Sequence, residues 1–216
     1  MGSCTSTSGN NGGGGGTGEY GGGMEGKNTT TMVKSSHPLT DYIGRGGSGF
    51  ANEIMSTRDE MERAYGDAVS GIALHVGTFT KRGTLGAYGG NTLYMNEGYV
   101  KNANLTEAMR NTDGFHPSIG SRTGAQAVAA HEIGHRLGEI AAKRAGISER
   151  DIVARAGKAA GIKTNNMAGH ISRYARSNYS ETIAEACSDV FCNGSNASKA
   201  SLAISNELRK ILGKGK

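Results

Sequence analysis

The pentapeptide His131-Glu132-Ile133-Gly134-His135 constrains this chain most, because it lies inside a stretch that reads as one long, buried helix. Thr123 is placed to cap a helix over Gly124 to Ala145, and Gly146 to stop it. Ala127, Val128, Ala130, Ile133, Gly134 and Leu137 surround the two histidines. Imidazoles and a carboxylate on a buried helix need partners, since unpaired polar burial costs on the order of 2–7 kcal/mol. Helical residues four apart are separated by ~6 Å along the axis and ~40° around it. His131 and His135 can therefore converge on one ion at ~2.0–2.1 Å, the usual zinc–nitrogen distance. Glu132 is turned ~100° from His131, out of a ligand position but within reach of water at the ion. A carboxylate so placed can take that water's proton and pass it to a leaving amine.

A catalytic zinc has three protein ligands and leaves the next position to water. One source of the third ligand is excluded by reading on. Where an extended histidine motif would need its last histidine, this chain has Ala141. Glu139 stands one turn along the same helix, too far up the axis to share the ion. A carboxylate from a later helix remains. Such a segment follows, with Tyr174, Asn178, Glu181, Ala184 and Glu185 in order.

These intervals resemble the zinc-ligand segment of lethal-factor-type gluzincin peptidases. They are equally similar to the metallopeptidase-like domains of phage minor head and head-morphogenesis proteins. The resemblance covers residues 115–192 and nothing beyond. It implies that Glu181 is the third ligand. It implies that Tyr174 aims its phenol at the substrate carbonyl oxygen, and that Glu185 accepts a hydrogen bond from a ligand histidine. Thr182 and Ile183 stand where those families carry aromatic residues, a departure that bears on the cleft rather than on the ligands. Other readings stay open. Asn178 and Glu181 also match a helix capping box. His170 is a second candidate for third ligand. His75 reads as a core histidine in a buried strand, and His116 as a loop residue near the cleft.

Residues 1–34 are rich in Gly, Ser, Thr and Asn and have little to bury, so they read as a disordered tail. Residues 35–216 then form one domain. Thr57 with Glu60 suggests a capped helix running to about Val69, preceded by an irregular stretch around Pro38. A strand over Gly71 to Val76 follows. Next comes a hairpin of Thr84 to Tyr88 and Thr92 to Asn96 around Gly89-Gly90-Asn91. A short helix over Leu105 to Arg110 carries a cap at Asn104. Helices are expected after Ser148, from Tyr179 to Cys192 and from Ser198 to Leu212. Strands first and helices second indicate an α+β fold. Joined to the resemblance, this order implies a zincin-like domain, with a small mixed sheet, a hairpin edge, the active-site helix and C-terminal helices. The hairpin edge would take an extended peptide by strand addition, with Tyr88 and Tyr94 bearing on substrate.

The net charge of +5 is spread among acids, and no aromatic-plus-basic pattern points to nucleic acid. No stretch approaches the ~20 apolar residues that span a bilayer, and no signal-peptide core is present. Met1-Gly2-Ser3-Cys4-Thr5-Ser6 fits the myristoylation pattern, which is short and common by chance. Cys4, Cys187 and Cys192 read as free thiols. The expected function is zinc-dependent hydrolysis of peptide bonds in a protein or peptide substrate, with no nucleic-acid or membrane partner. The expected location is cytoplasmic or virion-associated. The alternative is a phage virion or head-assembly protein that contacts phage structural proteins and keeps the domain as a structural or inactive relic.

Overall fold

A computed structural model describes residues 33–43, 48–81, 83–100 and 105–213. The expected tail up to residue 32, the myristoylation pattern, Cys4 and Asn104 lie outside the described residues. The fold is α+β. Its strands are β1 (Val33–Pro38), β2 (Ala73–Phe79), β3 (Gly86–Gly89) and β4 (Thr92–Asn96). Its helices are α1 (Ser48–Tyr65), α2 (Leu105–Arg110), α3 (Gly124–Ala145), α4 (Glu149–Ala160), α5 (Thr164–Met167), α6 (Tyr179–Asn193) and α7 (Lys199–Ile211). The sheet is mixed, in the order β1-β2-β4-β3. β2 and β4 run parallel, and β1 and β3 pair antiparallel at the two edges.

Two expectations are corrected. The first helix begins at Ser48, not near Thr57. Thr57 sits fully buried in its middle and donates its hydroxyl to the Glu53 carbonyl at 2.8 Å. The Thr57/Glu60 spacing imitates a cap, but a threonine can equally bond back to the preceding turn. The second correction is β1. The stretch up to Pro38 is an edge strand, starting inside the segment read as tail. Only Val33, Ser36 and the turn that follows gain shelter, so the apolar alternation that marks a strand is missing. Pro38 is tolerated because it ends an edge strand.

Helix α3 is the axis of the molecule. Helix α6 packs along one side of it, α1 along another, and β3 and β4 along a third. Its ends follow from sequence: a complete capping box joins Thr123 and Gln126, and Gly146 turns left-handed at φ 64°. The contact with α6 depends on Gly134. A Cβ there would stand 2.7 Å from the Ala184 Cα and 3.0 Å from the Cys187 Cβ. Only glycine lets the two backbones approach this closely.

Arg136 ties α3 to the hairpin. Its guanidinium donates to the Ala68 carbonyl at 2.6 Å, to the Tyr88 hydroxyl at 2.9 Å and to the Asn91 side chain. Asn91 holds the turn between β3 and β4 at φ 65°. The expected hairpin is therefore present and is pinned to the helix that carries the histidines. Tyr88 and Tyr94 do not share a face, however. Tyr88 is buried beside Arg136, while Tyr94 packs edge-on against His75 at 5.8 Å. His75 is half-buried there and bonds Ser36 through Nδ1 at 3.2 Å, so it is satisfied but outside the core.

Candidate metal centre

His131 and His135 lie one turn apart on α3, with ring centroids 4.8 Å apart and planes nearly perpendicular. Helix α6 brings Glu181 to the same point. Its Oε2 is 3.2 Å from the His131 Nε2 and 3.5 Å from the His135 Nε2. Ligand atoms ~2.0–2.1 Å from a tetrahedral ion sit ~3.3–3.4 Å from one another. The observed separations fit such an ion. All three residues are buried, and they form a group that can hold a metal ion. Neither the His135 Nε2 nor the Glu181 Oε2 makes a hydrogen bond, so the inward-facing atoms are those a cation would satisfy.

Both readings of Glu181 prove compatible. Its backbone N–H is capped by the Asn178 side chain at 2.8 Å, as a helix start requires. Its carboxylate does not return to the cap and instead faces the histidines. His170 does not join the group. It is exposed, and it lines an open cleft of about 710 Å³ together with Asn165, Arg176 and Asn178.

A second carboxylate organises the back of the site. Glu185, one turn after Glu181, receives the His131 Nδ1 at 2.9 Å and the His116 Nδ1 at 3.0 Å on Oε1. Ser172 donates to its other oxygen at 2.7 Å. Burial alone would raise the Glu185 pKa, but His116 and His131 outweigh it and hold the carboxyl far below its ordinary range. His116 is thus a buried member of the network, a role the sequence did not reveal. Its signal was weak: a histidine before Pro117, with its partner sixty-nine residues away. Ser172 gave no signal at all.

Burial pulls the His131 pKa down, yet the carboxylates of Glu181 and Glu185 prevail and hold it well above the usual imidazole value. His135 has less carboxylate contact, and burial lowers it to about 4. Glu132 is fully buried, and neither carboxylate oxygen finds a donor in hydrogen-bonding geometry. Burial lifts its pKa to about 8; His131 and the Tyr88 backbone amide oppose this, while Glu181 and Glu185 add to it. Three buried carboxylates around two buried histidines are what a divalent cation would neutralise. Tyr174 is buried in a ring cluster, 6.1 Å from His131 and 5.2 Å from His116 between centroids. Beside His131 and Glu132 lies a small cavity of about 20 Å³ walled by Leu85, Met109, Ile119 and Val128.

Among the described residues, Cys187 and Cys192 are free thiols, and no helix is long and apolar enough to cross a membrane. A scan against protein-family models finds no matching family, and searches of curated proteins and of solved structures find no match.

Proposed function

We propose that this protein is a zinc-dependent metallopeptidase of the gluzincin kind, with a zincin-like domain that hydrolyses peptide bonds. The observation that carries the reading is the meeting of Glu181 Oε2 with both histidine Nε2 atoms in the protein interior. Two imidazoles and one carboxylate are a donor set suited to zinc. Three protein ligands, rather than four, among the described residues support a catalytic over a purely structural site. That distinction disfavours the inactive phage-particle alternative, as does the buried acid Glu132 beside the ligands.

Zinc supplies Lewis acidity and a more acidic water when bound. The rest falls to the chain. Glu132 sits beside the ligands with free carboxylate oxygens, fit to accept the proton of the attacking water and return it to the leaving amine. Tyr174 is assigned to the carbonyl oxygen as charge develops there. Glu185 holds the His131 Nδ1 and leaves its Nε2 for the ion. Strand β3 is a sheet edge beside α3, suited to receive an extended peptide.

The purified protein is expected to carry about one zinc per chain. Glu132→Gln keeps the metal and abolishes cleavage of a peptide library, whereas full activity in that variant overturns the mechanism. Glu181→Ala loses the metal; unchanged zinc content there removes Glu181 from the ligand set.

A further inference from the structure

We propose that the open cleft beside the first turn of α6 is a binding site for an acidic peptide segment, with Arg176 receiving a carboxylate. The site goes beyond the proposed hydrolysis and does not depend on it, since none of His131, His135 and Glu181 lines the cleft.

The cleft runs between α5 with the turn behind it and the segment that leads into α6. Its volume of about 710 Å³ falls in the ~300–1,000 Å³ range of ligand pockets and far exceeds what a single ion needs. No carboxylate lines it. The charge it carries is positive. Arg176 supplies a guanidinium that stays ionised in proteins. The amino end of α6, a helix of 15 residues, adds its dipole. Glu181 stands in that same first turn, but its carboxylate is buried and faces the histidines, so it does not neutralise the cleft.

Arg176 is both available and placed. Its side chain makes no ion pair or hydrogen bond among the described residues. Arg173, three residues earlier, is already engaged, with the Asp113 carboxylate at 3.7 Å and the Asp113 carbonyl at 2.9 Å. Gly169 leaves the room that the Arg176 guanidinium occupies: a Cβ there would stand 3.1 Å from Nη2 and 3.6 Å from Cζ. The backbone around Arg176 is fixed to α6. The Thr182 hydroxyl lies 2.8 Å from the Ala175 carbonyl oxygen and 2.9 Å from that of Asn178, bracketing the segment. A wall held in this way loses little freedom when a ligand arrives.

The rest of the lining suits a peptide better than a nucleic acid. Asn165 and Asn166 are exposed amides that donate and accept, the pairing a peptide backbone offers. A nucleic-acid strand is gripped by a track of cations and stacking rings. Here Arg176 is the one permanent cation, and the rings are those of Tyr179 and His170.

The test is fluorescence anisotropy of the full chain with a short dye-labelled peptide of alternating glutamate and glycine, set against its glutamine counterpart. Wild type is expected to bind the glutamate peptide about 10-fold more tightly, the factor that one charge-assisted pair supplies. Arg176→Gln, a change at an exposed position, is expected to erase that preference. Arg173→Gln removes the same charge from the neighbouring surface and is expected to leave the preference intact. Equal losses in the two variants mean general attraction to a basic protein and overturn the site, as does a wild type that binds both peptides alike. Inorganic phosphate or a single-stranded oligonucleotide that binds as tightly as the glutamate peptide overturns the peptide assignment.

Discussion

At the scale of single residues, the cost of the site is concentrated in Glu132. Without a cation its pKa rises from 4.5 to about 8, chiefly through burial. Between those values the folded protein keeps a proton that the unfolded chain has released. Stability of the metal-free protein therefore falls as pH rises from about 4.5 toward about 8. Glu132→Gln removes that contribution. Thermal unfolding in excess chelator, followed across this window, is expected to show a shallower loss for the variant than for wild type. Identical slopes would mean that the carboxylate is not held in the interior. The convergence of His131 and His135 was legible because helical spacing alone places them on one face. His116 and Ser172 were not, because their roles arise from a loop and a turn that only the finished fold brings against Glu185.

Between elements, the decisive feature is the close crossing of α3 and α6 at Gly134. A methyl group there would press on Ala184 and Cys187. Gly134→Ala is expected to destabilise the protein by about 1–3 kcal/mol through overpacking. Because the crossing also sets how near Glu181 comes to the histidines, the variant should lose zinc affinity as well. Calorimetry paired with a zinc titration checks both, and a variant with unaltered metal affinity would free the site from the crossing. Helices were readable where caps mark them: Thr123 ahead of α3 and Ser148 ahead of α4, with Gly146 and Gly161 behind their ends. The start of α1 and the whole of β1 were hidden. Helix α1 has a persuasive but false cap within it, and an exposed edge strand such as β1 has no apolar face to betray it.

For the molecule as a whole, the metal reading makes stability a function of free zinc. An ion that binds only the folded state adds about 2.7 kcal/mol when present at about 100 times its dissociation constant. The melting temperature of wild type is expected to climb with added zinc and to drop with chelator. Glu181→Ala should melt at one temperature under both conditions. A zinc-dependent rise of the wild-type size in that variant would place the ion elsewhere.

The strand order has a practical consequence. β1 and β3 occupy opposite margins of the sheet, with β2 and β4 between them. Three steps of ~4.8 Å set those margins roughly 14 Å apart. A bead, dye or carrier protein joined ahead of Val33 would leave from the margin remote from Glu132. The same cargo spliced into the turn at Gly90 and Asn91 would stand beside the Arg136 clamp and load the helix that carries His131 and His135.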